Sequence, residues 1–256
     1  MNTGIVRSTA RRARLGGERA RLLLWARRLD ARLRRAGGRL VLDAPHGAHF
    51  HELPHAEIYP YGDTSPGTLT LRLGRHAHLG RGLILEIWAA KDNTVELGDE
   101  AAFRAGTRLQ LRGGTIRLGR RTVIRDHGLL DVMHGGAILT GERVQFGSQV
   151  ALHAAERIEI ADHVAVGERT SIFDSDHSHD GSDMPVVDQP DLVTPVTIGR
   201  NTFVGLNSLL LRGAHIGPNA MLAAGTVMRA GEYPGGFLYA GAPVRSIRPL
   251  GPPPAG

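Results

Sequence analysis

The chain has no cysteine among its 256 residues. A disulfide, a thiolate-held zinc and a cysteine nucleophile are therefore excluded. Aromatic residues are scarce at 5%, so the core cannot be built on large rings. No apolar run approaches the roughly 18 residues that would flag a membrane-spanning helix. The N-terminus also lacks a continuous apolar segment before a cleavage site, so no signal peptide is expected and the expected location is cytoplasmic. A uniform excess of charge is missing too. The net charge of +6 hides a split: residues 1–39 carry 12 Arg against Glu18 and Asp30, while the remainder carries 19 basic and 23 acidic residues. The basicity belongs to one arm, which argues against reading the whole protein as a nucleic-acid binder.

What the chain does have is glycine, 34 residues, and a hydrophobic fraction of 41%. It also has a rhythm. From Ile198 every sixth residue is aliphatic or methionine: Ile198, Val204, Leu210, Ile216, Leu222, Met228. A strand repeats every two residues and a helix every 3.6, so a period of six fits neither alone. It fits a solenoid of short strands joined at tight corners, each strand sending one residue inward. Three residues past each aliphatic stand Asn201, Asn207, Gly213, Asn219 and Gly225, the residue types that tolerate positive φ. Four past stand Thr202, Ser208, Ala214, Ala220 and Thr226, all small.

The phase extends backward through Ile160, Val166 and Ile172, then Thr140, Phe146 and Leu152. It continues through Leu118, Ile124 and Leu130, then Leu97, Phe103 and Leu109, and ends with Leu73, Leu79 and Leu85. Extra residues enter only after every third unit, so each coil has three sides. This predicts an all-β solenoid of about seven three-sided coils. Arg112, Arg121, Arg143 and Arg169 stand at corner positions in the early coils, where the register is weaker.

The rhythm breaks once, between Ile172 and Ile198, at FDSDHSHDGSDMPVVDQPDLVTPVT. A long loop on a rigid scaffold is where function concentrates. Its candidates for chemistry are Asp174, Asp176, His177, His179 and Asp180.

Ahead of the solenoid, Leu15, Leu22, Trp25, Leu29 and Leu33 form one apolar stripe of a helix, with arginines on the other faces and Gly37-Gly38 ending it. Such a helix packs its stripe on the body or a sister subunit, or lies on an anionic membrane surface, or binds another acidic partner. The expected organisation is a basic helical arm over 1–39, a capping segment over 40–72, the solenoid over 73–236 with its loop at 173–197, and a C-terminal cap and tail over 237–256. The closing GPPPAG cannot continue a packed element.

The units IGRNTF, VGLNSL and IGPNAM, the His-bearing loop that leads into TPVTIGRNTFVG, and the ending YAGAPVRSIRPL resemble the hexapeptide-repeat acyltransferases, in particular the sugar and polysaccharide O-acetyltransferases. The resemblance covers roughly residues 70–250 and is strongest over 172–250. It implies a left-handed parallel β-helix, acetyl-CoA as co-substrate, a saccharide or glycan hydroxyl as acceptor, a homotrimer, and neither metal nor nucleic acid. On that resemblance His177 falls on the family's catalytic histidine. A neutral imidazole there would take the acceptor's hydroxyl proton as general base, with His179 and Asp176 as further members of the site. One ring nitrogen of His177 should donate to an oxygen that fixes its tautomer, and the sequence does not say which oxygen. Acetyl-CoA would lie in a groove between subunits, along Phe203, Leu206, Ala224 and Arg229, with Arg245 and Arg248 facing its phosphates. Relatives often carry Lys or Thr near Ala230, so one of their cofactor contacts is missing here.

Other readings of the same residues are weaker. A γ-class carbonic anhydrase needs three histidine ligands, two of them five apart, and His177 and His179 are two apart. A non-catalytic β-helix scaffold would be indifferent to loss of His177. A nucleotidyltransferase needs a Gly-rich Rossmann-like domain that residues 1–70 do not contain. A serine acetyltransferase usually carries a much larger helical N-terminal domain.

Overall fold

The computed structural model describes residues 3–60 and 66–251, with side chains of the first helix described from Gly17 onward. Leu15 of the predicted stripe and residues 252–256 of the tail fall outside the described side chains and residues. A single helix, α1 (Thr3–Arg35), precedes a parallel β-helix.

Each coil lays one strand on each of three faces. The final complete coil consists of Ala214–Ile216 on the first face, Met221–Leu222 on the second and Val227–Met228 on the third. Each strand pairs in parallel with its counterpart one coil earlier, as Ile198 does with Ile216, Val204 with Leu222 and Leu210 with Met228. The period-six residues therefore stack into three inward columns. Val204, Leu210, Leu222 and Met228 have no exposed surface. Burying each such side chain contributes about 1.5–3 kcal/mol, and only stacking completes the burial.

The corners behave as the sequence predicts. Asn201, Asn207 and Asn219 have φ of 58°, 54° and 56°, and Gly213 and Gly225 have 73° and 70°. Arg121, Arg143 and Arg169 adopt the same left-handed conformation at 57°, 57° and 56°, so the early coils keep the register. Arg112 is the exception. It lies inside the continuous strand Arg108–Leu118, which crosses from the third face to the first and turns at Gly113 instead. Thr202, Ser208 and Thr226 are buried, and their hydroxyls donate to the carbonyls of Gly217, Gly205 and Ala223. The glycines that follow Ile198, Val204 and Ile216 have a steric cause. A Cβ on Gly205 would stand 2.5 Å from the backbone nitrogen of Ala224 in the next coil.

The segment expected to cap the solenoid is itself a coil. Gly38–Asp43, His49–Phe50 and His55–Tyr59 pair with Gly67–Leu73, His78–Leu79 and Ile84–Trp88, so the β-helix starts at Gly38 rather than at Leu73 and has one coil more than the seven read from the period. Its inward residues include Ala56 opposite Leu85, which blunts the aliphatic signal. The true cap is α1. Leu22, Ala26, Leu29 and Leu33 are buried against this first coil, the Trp25 indole donates to the Pro54 carbonyl at 3.0 Å, and Arg32 donates to Ala56 O at 2.8 Å. At the other end, Arg245–Pro249 folds back antiparallel on Phe237–Ala240 and closes the stack.

Candidate functional site

The insertion leaves the third face after Phe173 and returns to the first face at Val196. Its root is fixed by Asp174, which has no exposed surface. The Asp174 carboxylate accepts hydrogen bonds from the backbone nitrogens of Ala155, Glu156 and Arg157 at 2.8, 2.8 and 2.7 Å. With its oxygens so engaged, Asp174 anchors the loop and is not available for chemistry.

Beyond the root, Ser175–His177 and Asp191–Val193 form a short antiparallel hairpin, with His177 directly opposite Asp191. The two side chains meet: His177 Nδ1 lies 2.8 Å from Asp191 Oδ1. A carboxylate can only accept there, so the proton sits on Nδ1 and the Nε2 lone pair is left for a substrate. The His177 side chain is 64% exposed, so Nε2 is reachable from solvent.

The other loop residues divide differently from the sequence expectation. Asp176 does not join His177; its Oδ2 accepts from Arg212 Nε at 2.8 Å. Neighbours in a strand point to opposite sides, which separates the two. His179 Nδ1 accepts the Gly181 N–H at 3.2 Å and so belongs to the loop's internal bonding. Asp180 is held below the usual carboxylate range by hydrogen bonds from Ser182 and closes a local turn. Gln189 is nearly buried; its amide oxygen accepts from Asp180 N and its nitrogen donates to Met184 O, pinning the loop's return. Asp191, Arg212 and Gln189 were not singled out in the sequence. Only hairpin pairing across the insertion could have flagged Asp191.

The residues expected to hold a cofactor are spread over more than one side. Phe203 and Leu206 are exposed on the second face and its corner, where with Arg125, Gln145 and Glu168 they line a groove of about 240 Å³. Ala224 lies one coil further along the same corner, since Gly225 N donates to Leu206 O at 2.9 Å. Arg229 instead follows the third-face strand Val227–Met228, one coil beyond Leu211 and on the loop's side of the prism. Arg245 and Arg248 are exposed on the final strand. Within one chain the whole third face lies between Leu206 and the loop that carries His177.

Comparison with known proteins agrees with the repeat. Residues 195–230 match the model for the hexapeptide repeat of succinyl-transferase. A probable acetyltransferase of Mycobacterium tuberculosis is 31% identical over 136 residues, which is 53% of this chain and 43% of that protein. The chain thus spans less than half the length of this curated relative. Among solved structures, the polySia-specific acetyltransferase NeuO superposes with a TM-score of 0.50 at 14% identity, covering 82% of this chain and 80% of that one. A hexapeptide-repeat-containing acetyltransferase of Vibrio cholerae, complexed with acetyl coenzyme A, is 25% identical with a TM-score of 0.48 over 52% of this chain and 70% of that one. The chain thus carries a hexapeptide repeat over residues 195–230 and shares the parallel β-helix fold of the acetyltransferases it resembles.

Proposed function

We propose that the protein is an acetyl-CoA-dependent acyltransferase acting on a hydroxyl of a saccharide or glycan precursor, with His177 as general base and Asp191 orienting it. The observation that carries this reading is the His177–Asp191 pair on the one long insertion of an otherwise regular scaffold. Nδ1–H donates to Asp191, so the Nε2 lone pair accepts the acceptor's hydroxyl proton as its oxygen attacks the thioester carbonyl. The C–S bond of the tetrahedral intermediate then breaks, and the imidazolium, steadied by Asp191, returns the proton to the departing thiolate. Nothing in this sequence of steps needs a covalent acyl-enzyme.

The name of a structural neighbour supports the substrate class. NeuO, which shares the fold, is a polySia-specific acetyltransferase. A homotrimer is part of the proposal. The groove at Phe203 and Leu206 and the imidazole of His177 lie on opposite sides of the third face, so a long thioester can reach both when a second copy packs alongside. Thiol release from acetyl-CoA, measured across a panel of sugars and glycans, tests the reading. A His177→Ala chain should retain CoA binding and lose turnover. Silence with every acceptor, together with no CoA binding by the native chain, would leave a non-catalytic scaffold.

A further inference from the structure

Helix α1 has two unlike faces, and only one is used by the fold. Leu22, Ala26, Leu29 and Leu33 are buried on the first coil. Half a turn away, Ala20, Leu23, Leu24, Arg27, Arg28, Ala31 and Arg35 are exposed. Leu23 and Leu24 are 48% and 51% exposed, a pair of aliphatic side chains left in water beside cations. Other arginines of α1 are engaged with the protein: Arg32 on Ala56 O, Arg34 on Asp30, and Arg21 over the Phe50 ring. Among the described residues, Arg27, Arg28 and Arg35 have no ion-pair partner. The helix touches strands of all three faces of the first coil, so it lies across the end of the prism and its outward face forms that end.

We infer that this outward face of α1 docks the protein on an anionic lipid surface. Two features choose lipid over another polyanion. The positive charge is segregated onto residues 1–39, at +10 against −4 for the remainder, which suits a negatively charged plane. The leucines sit within the arginine face, where an interface rewards shallow apolar insertion and a phosphate backbone does not. No described helix is long and apolar enough to cross a membrane, and the docking requires none. The inference is independent of the acyltransferase reading, because it uses no residue of the loop or groove.

The test is co-sedimentation of the full chain with vesicles of phosphatidylglycerol and phosphatidylcholine, against vesicles of phosphatidylcholine alone, at low and high salt. Binding is expected only to the anionic vesicles, falling at least tenfold at high salt. The double variants Arg27→Glu/Arg28→Glu and Leu23→Ser/Leu24→Ser should each weaken it by about tenfold or more, with unchanged thermal unfolding as the control for folding. The inference fails if anionic vesicles bring down no protein at low salt, or if both variants bind as the native chain does. It also fails if the leucine variant binds vesicles normally while the arginine variant loses heparin and vesicles alike, the signature of a general polyanion site. A change in oligomeric state of the leucine variant without lipid would instead make this face a contact between copies.

Discussion

Asp176 and His177 are adjacent in sequence, yet they pair with partners on opposite sides of the hairpin: Asp176 with Arg212 at 2.8 Å and His177 with Asp191 at 2.8 Å. The carboxylate next to the histidine in sequence is not the one that sets its tautomer. Kinetics can separate them. On the proposed role of His177 as general base, His177→Ala should lower turnover by about 10²–10⁴. Asp191→Asn should lower turnover by more than about tenfold with little change in the KM for acetyl-CoA, because the wrong tautomer is then accessible. Asp176→Asn should leave turnover within a few-fold. A larger loss from Asp176→Asn than from Asp191→Asn would reverse the assignment.

This division shows what the sequence could and could not carry. The solenoid was legible because each coil repeats one steric problem: an inward aliphatic, a corner at positive φ, a small buried residue. That rule acts within a dozen residues and leaves a period. It faded in the first coil, where Ala56 takes the place of a larger aliphatic, and at Arg112, where a strand runs on past the expected corner. The site obeys no such local rule. His177 and Asp191 meet through hairpin pairing across the insertion, and Asp174 is drawn away by three backbone N–H groups that only the folded corner presents. Cross-loop pairing of this sort leaves no periodic trace.

On the outer surface of the third face, Asp131 is nearly buried beneath Arg112 and His153, with Arg112 Nε 3.0 Å from Oδ1 and His153 Nε2 2.8 Å from Oδ2. Burial alone would raise its carboxyl, but the hydrogen bonds from His153 and Arg112 outweigh it and hold the value below the usual 3.8. A depressed native value means stabilisation that is complete above the unfolded carboxylate range and lost as pH falls through the native value. Asp131→Asn should therefore cost about 1–3 kcal/mol at neutral pH. The gap from the native chain should hold down to about pH 5 and close below about pH 4. Urea midpoints taken across that range read it directly, and a gap that widened in acid would contradict the sign.

Arg143 occupies a corner at φ 57°, where a Cβ crowds the backbone. Arg143→Gly relieves that strain, worth about 1–2 kcal/mol, and forfeits part of it to the greater freedom of an unfolded glycine. The net expectation is a gain of about 0.5–1 kcal/mol. Arg143→Val, β-branched at the same φ, should lose at least as much. Both are read from thermal or urea unfolding, and equal stability of the two variants would remove strain from the account of these corners.

The most demanding consequence concerns how the site is shared. Leu206 stands at the corner before the third face and His177 on the loop after it, so a chain cannot fold the two sides of its own prism together. If a substrate groove needs both, each groove is built from two chains. Two inactive variants then become complementary: His177→Ala keeps an intact apolar corner, and Leu206→Glu, charged where a pantetheine tail would lie, keeps an intact base. Neither homo-oligomer should turn over. After co-refolding, mixed oligomers contain some grooves with both halves intact, and thiol release should return as a fraction of the native rate. A site housed within one chain gives no such return, because every chain in the mixture carries a lesion.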